Sequence, residues 1–483
     1  VTRLRLRRGR RRPTRRTPPV RRVRSAESAR IDRRYCILTA SRFLPTGLGI
    51  PVLGLLMLSR GLSLAELGFA FSSQAVMVII LELPTGGLAD ALGRRPVLLV
   101  ATALDVAALG LLLAAGGPAG FMAGMAVQGM YRALESGPLD AWYVDASLAA
   151  DPGTDIEAGL ARGGVALGIA ISAGAAAAAG LASLPPVGGV DPLALPLVAA
   201  LVFRVVDVAA IATLLTEVRP SGSGTSGPSE PEPRGRLAAA RASVAATPAV
   251  VRTALGLLRA TPALMALVAI ELFWGAGLSG VEMFTGPRLA ELLGDPEEGA
   301  AVTGLAAALA WSIAAGGSAL TTRFGELVGG GPARVGIVLR LVQGAAVGVA
   351  AVVAGPAGIV AGYLGFYFVH GAANAVHYGM VHRLVGAEHR ATIISAHSVA
   401  TRIGGMGTGI GLGALATAVS IPAALGVAAV LLALPAPLYR IAGRGRRVVD
   451  DSAEREPVLP GADLVRSEPD LPREPVTGPA TAR

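Results

Sequence analysis

Long apolar stretches alternate with short polar joints along most of this 483-residue chain. A helix rises 1.5 Å per residue, so about 20 apolar residues cross the hydrocarbon of a bilayer. On that rule the pattern predicts twelve spanning helices, over residues 36–58, 65–84, 96–115, 121–144, 161–183, 193–215, 262–284, 299–320, 334–354, 357–380, 391–415 and 418–438. Pro45, Pro51 and Pro138 fall inside these stretches, and membrane helices tolerate them.

The polar segments divide the chain. Residues 1–34 carry fifteen arginines and read as a cytoplasmic tail without fixed structure. That is too long and too basic for a secretory signal, and the opening Val1 leads us to expect that part of it is not native. Residues 35–215 hold the first six spans and 262–440 the second six. Between them, 216–261 form a linker. Ser221 to Gly235 is rich in Pro, Ser and Gly and reads as flexible. Arg236 to Arg259 reads as a basic surface helix, or a pair broken near Pro248. Residues 441–483 are polar and Pro-rich and read as disordered.

Arginine placement predicts orientation. With the N-terminus cytoplasmic, the inner segments hold the tail, Arg94 and Arg95, Arg219 to Arg259, Arg323, Arg383 with Arg390, and Arg440 to Arg447. The outer loops hold Arg60 and Arg288. An even number of spans returns the C-terminus to the cytoplasm.

Composition narrows the function. The chain is 52% hydrophobic and 16% charged, against about 25% charged for soluble domains. It has no lysine, which excludes a Walker phosphate loop and lysine Schiff-base chemistry. Cys36 is the one cysteine, so no internal disulfide forms. The net charge of +10 sits largely in the first 34 residues, beside an apolar segment. Attraction to anionic lipid headgroups accounts for it, and no nucleic-acid partner is expected.

One joint carries the most information. Gly86-Gly87-Leu88-Ala89-Asp90-Ala91-Leu92-Gly93-Arg94-Arg95-Pro96-Val97-Leu98 is a short, doubly basic turn between two apolar stretches. It resembles the loop between the second and third helices of major facilitator superfamily (MFS) transporters. The family pattern is Gly-x-Leu-Ala-Asp-x-x-Gly-Arg-(Arg/Lys)-x-x-Leu. The resemblance implies an all-α membrane protein of twelve transmembrane helices in two six-helix bundles with both termini cytoplasmic. It implies that Asp90 latches an inward gate against the eleventh helix, with Gly87 and Gly93 allowing a tight turn. Arg94 and Arg95 are expected to pair with Asp145 in one state and release it in another; the alternative is that they only set topology. A weak repeat relates the halves. Arg162 to Gly168 opens the fifth span as Arg402 to Gly407 opens the matching part of the eleventh, and Gly316 to Gly325 holds a degenerate copy of the loop motif.

Ionisable residues inside spans are costly and face the bundle interior or a wet cavity. Met130 to Asp145 places Arg132, Glu135 and Asp140 in the fourth span. Arg132 and Glu135 share a helix face. The stretch resembles the fourth-helix Arg-x-x-Gln-Gly motif of drug/proton antiporters, with Glu135 in place of Gln and Ser136 in place of the first Gly. That resemblance implies proton movement at Glu135; a static ion pair is the alternative. Arg42 is expected to face the cavity. Asp105 is a further candidate, and Arg204 with Asp207 reads as a structural pair. Glu271 and Glu282, about three turns apart, are expected to line the cavity from the second half. His370, Asn374 and His377 share a face of the tenth span and read as packing residues, not metal ligands. The antiporter pattern of the fifth helix lacks its proline around Gly164, Gly168 and Gly174.

Glu82-Leu83-Pro84-Thr85-Gly86 resembles the lead-in of drug-efflux members. The expectation is a secondary transporter, not an enzyme, that extrudes small amphipathic molecules against protons. It is expected to be monomeric, in a bacterial plasma membrane, without cofactor or metal. An uptake symporter, or a receptor that has kept the fold and lost transport, is the alternative.

Overall fold

The computed structural model describes residues 26–85, 87–217 and 233–445. These lie in one compact unit, Val1–Arg447. Most of the arginine tail, the Pro/Ser/Gly stretch of the linker, Gly86 and the C-terminal segment lie outside the described residues.

The described chain is helical and contains no β-strand. In order it forms α1 (Ala26–Gly49), α2 (Leu53–Ser59), α3 (Leu64–Thr85), α4 (Leu88–Leu92), α5 (Arg94–Ala114), α6 (Pro118–Glu135), α7 (Pro138–Ala150), α8 (Ile156–Ala182) and α9 (Leu195–Leu214). Then come α10 (Pro233–Ala260), α11 (Pro262–Leu293), α12 (Pro296–Ala319), α13 (Thr321–Val328), α14 (Gly331–Val352), α15 (Pro356–Leu384), α16 (Ala387–Ala418), α17 (Ile421–Ala433) and α18 (Tyr439–Ala442). Proline in the first turn starts α6, α7, α9, α11, α12, α14, α15 and α17, where its missing N–H costs nothing. Ser63 and Glu66 cap α3 reciprocally: Ser63 N–H donates to Glu66, and Glu66 N–H to Ser63 Oγ.

Ten of the described helical segments are long and apolar enough to cross a bilayer. The fourth and eleventh expected spans are not among them. The fourth is split between α6 and α7 at Gly137, whose φ of 92° puts it in the left-handed region. The eleventh, α16, is 32 residues long but diluted by Arg402 and a run of glycines. Two boundaries also differ from expectation. Helix α1 begins at Ala26, inside the expected tail, because Asp32 anchors that turn to Arg162 at 2.7 Å and to Tyr143 OH. The basic linker helix α10 runs unbroken through Pro248.

Burial is inverted relative to a soluble protein. On α9, Val202, Val205 and Val206 are more than half exposed, whereas Arg204 and Asp207 are fully buried. Water would penalise that arrangement; hydrocarbon favours it.

The helices pack as two matched sets. In the first, α1 packs on α8 and α9, α6 on α3 and α5, and α5 on α9. In the second, α11 packs on α16 and α17, α15 on α12 and α14, and α14 on α17. Each pairing in one set has its counterpart in the other. The sets meet along α3 with α16 and α8 with α12, contacts that the same correspondence exchanges. The weak sequence repeat is therefore a strong repeat of packing. At the α3–α16 crossing the backbones touch: a Cβ on Gly68 would collide with the Gly409 carbonyl.

Candidate functional site

A cavity of about 150 Å³ lies among α1, α2, α3, α5, α6, α9 and α11. Most of its wall comes from the first helix set, and Glu282 on α11 comes from the second. Asp105, Arg132 and Arg204 bring charge to it, and Gln74 and Gln128, bonded to each other at 2.7 Å, bring amide groups.

A buried ion cluster continues from that wall and shares Asp105 and Arg204 with it. Arg42 Nε donates to Glu135 Oε2 at 2.9 Å, and its Nη2 donates to the Glu135 carbonyl. Arg204 sits 2.7 Å from Asp105 Oδ2 and 3.2 Å from Asp207 Oδ2, and it donates to the Arg42 carbonyl. Ser41 Oγ donates to Asp207 at 2.6 Å. The Arg204 guanidinium lies 4.9 Å from the centre of the Tyr131 ring, a favourable cation–π distance. Two expectations change. Glu135 pairs with Arg42 across two helices and not with Arg132 one turn away, because the Arg42 side chain crosses from α1 to meet it. For the same reason Arg42 is spent on Glu135 and does not face the cavity. Asp140 differs too: after the break at Gly137 it stands exposed in the first turn of α7, beside the buried Pro138 and Leu139, and accepts from Tyr35 OH at 2.6 Å.

The second helix set holds a counterpart cluster. Glu271 accepts from Thr401 Oγ1 at 3.3 Å and lies 3.4 Å from Arg340 Nη2 and 3.3 Å from His377 Nε2. Arg340 also donates to Gln343 at 2.8 Å, and His377 Nδ1 lies 3.0 Å from Tyr439 OH. Matched helices supply both clusters. Arg42 lies on α1 and Glu271 on its counterpart α11, and Asp105 lies on α5 and Arg340 on its counterpart α14. Glu271 is 1% exposed, so it belongs to this cluster and not to the cavity wall as expected. Glu282 alone lines the cavity from α11, hydrogen-bonded by Tyr367 OH. Arg340, Gln343 and Tyr439 were missed by the sequence reading. The signal for Arg340 was plain: an arginine inside a span-length apolar stretch.

His370 stacks on Trp274 with ring centres 5.0 Å apart and is bonded by the Asn374 amide, while His377 belongs to the Glu271 cluster. Among the described residues no group of three or more His, Cys, Asp or Glu is placed to hold a metal ion.

At one end of the bundle, the Gly87–Leu98 joint folds as the short helix α4, a turn at Gly93 with φ of 99°, and the start of α5. Arg94 sits 2.6 Å from Asp145 and 3.6 Å from Asp90. Asp90 itself is 73% exposed. Arg95 turns the other way: its N–H donates to Glu217 and its guanidinium to the Ala212 carbonyl at the end of α9. Gly87 lies flush against Ser243 of α10, where a Cβ would collide. The Arg94–Asp145 pair is partly solvated, so Arg94→Gln should lower stability by about 1 kcal/mol or less. A melting curve in detergent tests this; a loss of several kcal/mol would show the pair to be shielded.

The sequence profile of the family described as the Major Facilitator Superfamily matches residues 35–409. No curated protein sequence matches the chain. Solved structures are similar in fold. The nucleoside transporter NupG is 15% identical, with a TM-score of 0.66 over 86% of this chain and 99% of its own. A bacterial homolog to the human lysosomal transporter Spinster, inward-facing and unoccupied, is 14% identical, with a TM-score of 0.67 over 87% and 98%. The human organic anion transporter MFSD10 is 16% identical, with a TM-score of 0.55 over 88% and 100%.

Proposed function

The chain belongs to the Major Facilitator Superfamily and is a transporter, not an enzyme, and from that premise we propose that it is a proton-coupled exporter of small amphipathic molecules working by alternating access. Twelve crossings are part of the proposal, with α6–α7 and α16 adding to the ten apolar segments. So are a plasma-membrane location and cytoplasmic termini, which place the Arg94 end of the bundle inside. The Gly87–Leu98 loop, with Asp90, Arg94, Arg95 and Asp145, is then the inner gate. Monomers suffice, since each chain has its own cavity.

The observation that carries the proposal is a charged cavity, walled by one helix set and reached by Glu282 from the other, in a chain built of two matched sets. A site near mid-membrane, between halves that rock against each other, is how such a repeat moves cargo. Proton coupling needs a carboxylate that gains and loses a proton cheaply. Protonating Glu135 or Asp105 breaks an ion pair at 2.9 or 2.7 Å. Protonating Glu282 breaks none, and Glu282 also faces the cavity. Proton and cargo then compete for one group, which is the logic of exchange. In inside-out vesicles with an acidic lumen, the wild type should accumulate labelled 8-aminooctanoate, which is zwitterionic on both sides and so is not trapped by protonation, at least tenfold over the gradient-free level. Glu282→Gln should remove the dependence on the gradient. Uptake that ignores the imposed gradient in the wild type would overturn proton coupling.

A further inference from the structure

The charge balance of the cavity points to its cargo, and the argument rests on the transport reading above. In the first helix set Arg42 is matched by Glu135, and Arg204 by Asp105 and Asp207. Arg132 stands apart. It lines the cavity wall with no carboxylate at ion-pair distance among the described residues, while Asp105 and Glu135 lie within electrostatic range of it. Arg402 on α16, from the other helix set, also has no carboxylate at ion-pair distance among the described residues, and Arg132, Glu82 and Glu135 all lie within electrostatic range of it. Glu282 is the reverse case. It is exposed in the middle of a long helix and lines the cavity, and among the described residues its hydrogen-bond partner is the neutral Tyr367 OH. Phe71, Leu112 and Met125 give the same wall apolar surface.

A charge on a cavity wall without a direct ion-pair partner favours a ligand group of opposite charge beside it. A cation alone would satisfy Glu282 but meet Arg132 as a like charge. An anion alone would do the converse. We infer that the cavity selects amphipathic zwitterions, with the anionic group held by Arg132, the cationic group by Glu282, and the apolar body along Phe71, Leu112 and Met125. Arg402 reinforces the anionic end from the opposite half, so cargo bridges the two helix sets.

The test compares 8-aminooctanoate, octylamine and octanoate, which share one chain and differ in charge. Binding is measured by calorimetry on the full-length protein in lipid nanodiscs. The aminooctanoate should bind at least tenfold more tightly than either analogue. Arg132→Gln should bring it down to the level of octylamine, Arg132→Lys should keep the preference, and Glu282→Gln should bring it down to the level of octanoate. Octylamine binding as tightly as aminooctanoate in the wild type would overturn the inference without any variant. So would Arg132→Gln and Glu282→Gln weakening all three ligands equally, the result expected if the two residues close the cavity on each other. Exchange of labelled aminooctanoate in proteoliposomes separates the two readings. Preferential binding without exchange would sink transport and leave the inference. Exchange without preference would sink the inference and leave transport.

Discussion

Arg204→Met should be the most damaging single substitution in the first helix set, costing about 3–5 kcal/mol, the usual penalty for removing one partner of a buried ion pair. Arg204 is 1% exposed and serves two carboxylates, Asp105 and Asp207, which are just as buried. Its loss leaves both without a cation. It also strips the Arg42 carbonyl and the Tyr131 ring of their contacts. The apparent melting temperature in detergent should fall sharply. Adding Asp105→Asn and Asp207→Asn should recover most of it, because the stranded charges disappear. A single variant that melts with the wild type, or a triple variant no better than the single, would show that the cluster is wetter than its burial implies.

Gly68→Leu should act on motion more than on folding. Gly68 sits where α3 crosses α16, and that contact joins the two helix sets without being part of either. A side chain there collides with the Gly409 backbone, which cannot fold away as a flexible side chain would. Overpacking of this kind costs about 1–3 kcal/mol. The penalty falls on conformations in which the two glycines touch. A shift of that size changes a two-state ratio by about 5–150-fold. Transport should drop by at least tenfold while each helix set keeps its melting behaviour. Gly68→Ala should lie between the two. Wild-type flux in Gly68→Leu would mean that this crossing opens freely.

The membrane character of the chain was legible because hydrocarbon reads composition directly: ten segments are apolar enough to cross on that basis alone. The short Gly87–Leu98 turn was legible for the same reason, since three charges cannot sit in lipid. The partners of buried charges were not legible. Glu135 has Arg132 one turn away in sequence, yet takes Arg42, 93 positions distant, because α1 and α6 present those side chains to each other. Spacing along one helix says which groups share a face; it cannot say which neighbour packs on that face. Arg340 escaped notice because it sits alone in its segment, and only folding brings Glu271 and His377 to it. Asp140 misled because hydropathy carries the fourth span straight through Gly137, where the backbone breaks.

The central claim is that one cavity between two matched helix sets opens to each side of the membrane in turn. Cys36 is the one cysteine in the chain, so a Cys36→Ser background allows a single reporter at Gln128→Cys on the cavity wall. A membrane-impermeant maleimide should label that reporter in right-side-out vesicles and, separately, in inside-out vesicles, with cargo or pH changing the two rates in opposite directions. Labelling from one side alone under every condition would contradict the account.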